Sequence, residues 1–377
     1  MRLADLSTPS LILDRGTLAA NCAAMAARAA KLGVRLRPHL KTAKSAEAAR
    51  IATAGQFGGI TVSTLAEARY FAGHGFRDIT YGVGIAPGKL DEVARLQAEG
   101  ARLQLVTDDV ATVGAVAQRA LELKAAFQLL IEIDTGGGRA GVLPESPALL
   151  EIGRAIAAAP GLSLLGVMTH AGHSYRCKGG DAIAAVAEEE RAGVVRAAER
   201  LEAAGLPSPV VSVGATPTAM FARALPGVTE MRPGVYTLMD LYQMAIGVCR
   251  REDIAASVLA SVIGHNPRTG RILIDAGALA LSQDRGAASL MEHTGFGWVC
   301  DAVTGKPLDG LYVAEVNQEH GMIAAAKGAP PFERLPLGAR VRILPNHVCM
   351  MAAPYDRYHV VEGGADVVAV WDKATGW

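Results

Sequence analysis

The feature that most constrains this sequence is a repeated alternation of two kinds of segment between residues 15 and 235. Short apolar runs at 34–41, 59–64, 78–83, 103–107, 127–134, 164–170, 210–214 and 228–235 have the length and composition of strands. Alanine-rich amphipathic stretches, such as 89–99, 109–124, 146–158 and 181–204, lie between most of them. A helix over 15–33 comes first. Its Leu18, Cys22, Met25 and Ala29 share one face, and Gly33 is placed to end it. Eight strand–helix alternations in roughly 230 residues fit a (β/α)8 barrel better than an open sheet. Beyond about residue 250 the pattern changes. Strand-like runs at 256–265, 271–276, 311–316, 339–344 and 366–371 follow one another without regular helices. Turn signals such as Asn266-Pro267, Thr269-Gly270 and Gly363-Gly364 separate them. The expected fold is α/β, a TIM barrel over 10–248 followed by a β-rich domain over 249–377. Residues 1–9 are a candidate extra strand of the second domain.

A length of 377 residues is comfortable for two domains. Lys plus Arg and Asp plus Glu balance at 37 each. No cationic stripe stands ready to release counterions from a polynucleotide, so nucleic acid is not an expected partner. No run approaches the roughly eighteen uncharged apolar residues of a membrane span. Asp14 and Arg15 interrupt the first apolar run, which argues against a secretory leader. Five widely spaced cysteines without a CxxC pair suit a reducing compartment, and the expected location is the cytoplasm.

In barrels of this type the carboxyl ends of the strands carry the active site. At those ends stand Lys41, Ser63-Thr64, Asp134 to Arg139, His170 to Tyr175, Gly214-Ala215-Thr216 and Gly234-Val235-Tyr236. Turns favour Gly, Ser, Thr and Asp for their own reasons. Turn chemistry does not account for a lysine, an arginine, a histidine and two tyrosines at one rim. Lys41 closes the first strand, where partial desolvation would free its amine to form a Schiff base. Ser212 to Thr218 and Arg232 to Tyr236 follow the last two strands, a common place for phosphate. Their glycines let N–H groups approach an anion, and Thr216 adds a hydroxyl donor. A phosphate cup facing a strand-end lysine suggests pyridoxal phosphate. The run Gly136-Gly137-Gly138 would fold over a ligand and bring the always-charged Arg139 to its ring. The alternative is a surface arginine paired with Asp134. In the second domain Pro345-Asn346-His347-Val348-Cys349 follows a strand-like run. Residues two apart on an extended chain face the same side, so His347 and Cys349 would grip one cation. Imidazole with thiolate favours Zn2+. The alternative is a core cysteine beside a structural histidine.

Thr8 to Leu11, Arg37 to Thr42, Gly59 to Ala68, Thr169 to Tyr175, Ser212 to Pro217 and Val262 to His265 form a wider pattern. With Asn317 to Gly321, His347-Val348-Cys349 and the closing Gly376-Trp377, they resemble the D-serine dehydratase and D-threonine aldolase family. These are barrel-type pyridoxal phosphate enzymes of the alanine racemase-like fold, type III. The resemblance runs nearly end to end. It implies Lys41 as the Schiff-base lysine, with Arg139 and Tyr175 near the cofactor ring. It also implies Gly214, Thr216, Gly234 and Tyr236 around the phosphate, and His347 with Cys349 as zinc ligands; Mn2+ or Mg2+ are the other metals considered. His170, at the same rim, joins the candidate cofactor-binding set. The family's histidine after the Lys-Thr pair is replaced here by Ala43.

Within the family the motifs look closer to dehydratases of D-serine or D-threo-3-hydroxyaspartate than to aldolases, which carry aspartate where Cys349 stands. The implied reaction on a small amino-acid substrate is elimination of a β-hydroxyl, giving a 2-oxo acid and ammonia. Retro-aldol cleavage of a D-3-hydroxy amino acid to glycine and an aldehyde is the alternative. A non-catalytic cofactor carrier would not need the β-rich domain, and no second-domain tyrosine stands out for a racemase. His173 and Arg176 are candidates to meet a second substrate carboxylate. The resemblance further implies a homodimer with active sites at its interface.

Overall fold

The computed structural model describes residues 1–377. Its contacts divide the chain into two compact units. One comprises Ala23–Lys41, Ala49–Gly234 and Gly376–Trp377; the other comprises Met1–Cys22, Thr42–Ala48 and Val235–Thr375. The first strand, β1 (Ser10–Asp14), belongs to the second of these.

Eight parallel strands form the first unit. They are β2 (Arg35–Leu36), β3 (Ile60–Val62), β4 (Asp78–Gly84), β5 (Arg102–Thr107), β6 (Phe127–Ile133), β7 (Leu162–Thr169), β8 (Val210–Val213) and β9 (Glu230–Met231). At one edge Arg35 pairs with Glu230. At the other, the chain beyond β2 bridges β3 through His39 and Thr61. There Leu40 N donates to Thr61 O at 2.8 Å and Thr61 N donates to Pro38 O at 2.9 Å. The sheet therefore closes on itself, as the alternation implied. β2 is shorter than the run 34–41 because Pro38 has no N–H to give a ladder.

The helices form where the sequence supplies starts and apolar stripes. Thr64 Oγ1 accepts from Glu67 N at 3.0 Å to cap the helix Leu65–Gly73. Asp109 accepts from Thr112 N at 2.8 Å to cap Val110–Leu123. Ser146 caps Pro147–Ala158, with proline at a position where a missing N–H costs nothing. That helix buries Leu149, Ile152 and Ile156 at steps of three and four. Each such side chain contributes about 1.5–3 kcal/mol by leaving water.

The second unit is a sheet of nine strands. Its core is β10 (Ala256–Asn266), β11 (Arg271–Ile274), β12 (Trp298–Asp301), β13 (Pro307–Val316), β14 (Gly321–Ala325) and β15 (Arg340–Leu344). These run in the order β11-β14-β13-β12-β15-β10, and β10 pairs back onto β11, closing an antiparallel ring. The long β10 makes this possible: Val258 to Ser261 pair with β15, and Val262 to Asn266 with β11. β1 then joins β10 on one side and β16 (Arg357–Val361) on the other, and β17 (Ala369–Asp372) pairs with β16.

Two stretches that the sequence pattern assigns to the barrel, 10–22 and 235–248, thus pack with the β-rich unit. Ser10 to Leu13 are all buried, so both faces of this strand are covered as well as both of its edges. Residues 235–248 are tied in by Leu241 N to Pro345 O (3.0 Å) and Ala255 N to Leu238 O (2.8 Å). No helix of the chain is long and apolar enough to cross a membrane.

Candidate active site

A cleft of about 300 Å³ opens in the barrel unit, lined by His39, Lys41, Glu132, Arg139, His170 and Arg232 among others. Lys41 is exposed there rather than desolvated. Its backbone N–H meets His39 Nδ1 at 3.4 Å, and His39 Nε2 lies 3.4 Å from Ser63 Oγ. Burial, then the charges of Lys41, Arg232 and His170, hold the His39 pKa well below the usual imidazole range. His170 is pushed to about 3 by burial and by the charges of Lys41, Arg139 and Arg232. Both rings are therefore neutral near pH 7. His170 Nδ1 bonds to Gly214 O, a carbonyl that can only accept, so Nδ1 carries the proton and Nε2 is left as an acceptor.

The structure brings Lys41, Arg139 and His170 to one cleft. Arg139 is paired with Glu132 Oε1 at 3.5 Å rather than with Asp134. Asp134 instead accepts from Gly136 N at 2.9 Å and Gly138 N at 3.1 Å, which shapes the triple-glycine turn. The expected phosphate cup is only partly open. Gly214 N donates to Glu190 Oε1 at 3.2 Å and Ala171 N donates to the same oxygen at 3.0 Å. Glu190 is a buried carboxylate and His170 takes the carbonyl, so the Gly214 N–H and C=O are both engaged and neither is free for a phosphate. Gly234 is required by packing, since a Cβ there would fall 2.7 Å from His39 O. Thr216 is buried at the start of the helix Thr216–Phe221. Tyr175 is half-buried in the turn Gly172–Arg176. Tyr236 is buried in the other unit, and burial raises its pKa well above the phenol range. His173 lies against the backbone of Gly136 and Gly137, and Arg176 is exposed.

Arg232 was not singled out from the sequence. It is 5% exposed, donates to Ser212 Oγ at 2.7 Å and to Thr169 O, and lines the cleft. Behind it Ser212 Oγ donates to Glu230 at 2.9 Å, and Glu230 takes Arg37 Nε on both oxygens at 3.0 Å. Arg37 and Glu230 offset one another as a buried ion pair, while Arg232 is held by neutral acceptors within reach of the charges of Glu230, Glu190 and Glu132. The lining is thus cationic in Lys41, Arg139 and Arg232, with neutral imidazoles between. It suits a flat anionic ligand bearing an aldehyde.

The second cluster lies in the β-rich unit. His347 precedes a one-turn helix, Val348–Ala352, that carries Cys349. The chain is not extended at Cys349, so alternation is not what pairs the two. They come together because His347 occupies the cap position of that helix. His347 Nδ1 lies 2.7 Å from Asp284 Oδ2. With Nδ1 donating to the carboxylate, Nε2 is the nitrogen left to face a cation, which it would bind on giving up its proton, the orientation that metal-binding histidines take. Cys349 Sγ lies 3.1 Å from Thr42 Oγ1, in the residue after Lys41. Burial lowers the His347 pKa, but Cys349, then Asp284 and Asp240, raise it to about 9. Asp240 is buried; its oxygens accept from Gln243 N at 2.8 Å and Val348 N at 3.0 Å, fixing the start of the one-turn helix. Burial pushes Asp240 up to about 6 against those bonds. No three His, Cys, Asp or Glu side chains gather as a ligand set.

Residues 13–241 match the alanine racemase N-terminal domain, and residues 255–361 match a putative serine dehydratase domain. The chain is 46% identical to a D-threo-3-hydroxyaspartate dehydratase of Delftia sp. (strain HT23), covering 100% of this chain and 99% of that protein. The solved structure of that dehydratase has a TM-score of 0.96, with 100% of each chain covered. A cysteine-to-alanine variant of it is known in a metal-free form, also at a TM-score of 0.96. A D-serine dehydratase of Dictyostelium discoideum is 31% identical, covering 99% of this chain and 98% of that protein. A D-threonine aldolase of Arthrobacter sp. is 30% identical, covering 98% and 93%. By the extent of these matches, the chain belongs to the family of the alanine racemase N-terminal domain, joined here to a putative serine dehydratase domain.

Proposed function

We propose that this chain is a carbon–oxygen lyase dependent on pyridoxal phosphate and a divalent metal. Its reaction is removal of the β-hydroxyl of a D-3-hydroxy amino acid, D-threo-3-hydroxyaspartate or D-serine, to give a 2-oxo acid and ammonia. The observation that carries this reading is the end-to-end similarity to a D-threo-3-hydroxyaspartate dehydratase. The cleft fits the cofactor: an exposed Lys41 amine, two further cations and two neutral imidazoles stand in about 300 Å³, the lower end of ordinary ligand pockets.

When bound, the cofactor supplies an aldehyde for Lys41 and an electron sink for the α-carbon. Lys41 Nζ would hold it and, once released by substrate, take the α-proton. Arg139 and Arg232 would balance its negative charge, while His170 offers a neutral ring edge whose tautomer Gly214 fixes. His347 Nε2 and Cys349 Sγ would hold the metal, whose contribution is Lewis-acid help to a departing hydroxyl. A thiolate–imidazole pair favours Zn2+ over Mn2+ or Mg2+. Within the β-rich unit Thr42, the residue after Lys41 in the chain, lies 3.1 Å from Cys349 Sγ. The proposed assembly is a homodimer.

Retro-aldol cleavage uses the same groups and is kept as the second reading because of the aldolase relative. Product analysis over D-serine, D-threonine and both threo-hydroxyaspartate enantiomers, with and without Zn2+, separates them. Ammonia and a 2-oxo acid are expected. Glycine and an aldehyde as the main products would replace this reading with the second.

A further inference from the structure

The one-turn helix that carries Cys349 is too short to hold itself. Five residues lie far below the length at which an isolated helix persists, and its last carbonyls have no partner within it. Its start is fixed by Asp240 through Val348 N. Its end is fixed from the far terminus of the chain. Lys373 is 6% exposed, and its Nζ donates to Ala352 O, the last residue of the helix, and to Tyr355 O at 2.8 Å.

The same lysine is braced on every side. Its backbone N–H donates to Asp356 O at 2.8 Å, and its ammonium stands 5.2 Å from the centre of the Tyr358 ring. Tyr358 Oη donates to Ala43 O at 2.8 Å, and Ala374 N donates to Lys44 O at 2.7 Å. The segment Thr42–Lys44 that touches Cys349 through Thr42 is therefore tied to the same two elements that tie the end of its helix. Burial lowers the Lys373 pKa to about 7, so its N–H donors rather than a fixed charge are what hold the two carbonyls. Burying a lysine is costly, and an apolar residue would fill the space; what only a long donor supplies is reach to those two carbonyls.

We propose that Lys373 is a positioning residue for Cys349: by holding the end of the helix Val348–Ala352 it sets where the thiol stands and so controls cation binding. This rests on the reading that His347 and Cys349 hold a metal. The test is direct titration of metal-stripped protein with Zn2+, and with Co2+ to read the thiolate-to-metal charge-transfer band. It compares the unmodified chain with Lys373→Met, which keeps the apolar stem and loses the donor, and with Lys373→Arg. Lys373→Met is expected to weaken cation binding at least tenfold and to shift or weaken the band, while pyridoxal phosphate still binds at Lys41. Lys373→Arg is expected to recover most of the affinity. If Lys373→Met fails to fold, Lys373→Gln, one bond shorter but still a donor, is read instead, with a three- to tenfold loss expected. A folded Met or Gln variant with unchanged Zn2+ affinity and an unchanged band overturns the role of Lys373 alone. An unmodified chain that binds neither ion overturns the metal reading and this inference together.

Discussion

Lys41 needs no movement to meet an aldehyde, because its side chain is already open to the cleft. The chemistry assigned to Lys41 and to Cys349 is separable, and two substitutions separate it. Lys41→Ala should leave the protein colourless when saturated with pyridoxal phosphate and lower ammonia release by about a thousandfold or more. Cys349→Ala should give a comparable loss while keeping the yellow absorption and borohydride labelling at Lys41. A Cys349→Ala variant that turns over normally after chelation would remove the metal from the account. His170 makes a prediction of a different kind. Its folded pKa is about 3 against an ordinary 6.5, so between those values the unfolded chain binds more protons than the folded one. Stability should be fully present above pH 6.5 and fall as pH drops toward 3, with a slope from this residue of at most about 1.4 kcal/mol per pH unit. His39 adds to it with the same sign. Thermal midpoints at pH 5 and 7.5 check this: His170→Asn, which keeps a donor near Gly214 O, should show a smaller drop than the unmodified chain.

At the scale of elements, the proposed metal pair depends on residues that no local pattern reveals. Asp284 is 63 positions from His347, yet it orients the imidazole and frees Nε2. Asp284→Asn should keep the hydrogen bond but lose the charge, weakening Zn2+ binding by about ten- to a hundredfold, the usual effect of removing such a partner. Equilibrium dialysis reads this without reference to turnover, and an unchanged affinity would show that the carboxylate does not serve the metal. The strands of the barrel were readable in order because each is a short apolar run between amphipathic helices, a strong periodic contrast. The His347–Cys349 pair was also visible, but its geometry was not: spacing alone suggested an extended chain, whereas a cap and a one-turn helix bring the side chains together. Arg232 is legible only as the start of a glycine-containing turn, and Glu190 is hidden in the charged run Glu188 to Arg191; the meaning of each comes from partners about twenty or more residues away. The strands β12, β14 and β16 were not read from the sequence, although β11, β15 and β17, which are no longer, were.

The whole chain does not divide where its composition changes. The β-rich unit takes β1 from the start of the sequence, Thr42–Ala48 from just after the candidate Schiff-base lysine, and everything from Val235 to Thr375. β1 is an interior strand with neighbours on both sides, paired antiparallel to β10 and parallel to β16. Removing it would expose two strand edges and the apolar faces of Leu11, Ile12 and Leu13, all at most 1% exposed. The segment 249–377, which the sequence pattern marks off as a domain, therefore lacks a central strand, the Tyr358 partner Ala43 and the Asp240 anchor of the one-turn helix. Expressed alone, that segment should give no cooperative thermal transition and no dispersed amide spectrum, and it should not bind Zn2+ in a defined site. Supplying residues 1–22 in trans should not restore it, because Thr42–Ala48 and 235–248 would still be missing. A fragment 249–377 that melts cooperatively would show that β1 and the Thr42–Ala48 segment are accessories to a self-sufficient ring. Its failure would mean that the thiol of Cys349 can be placed only after three separate parts of the chain have come together.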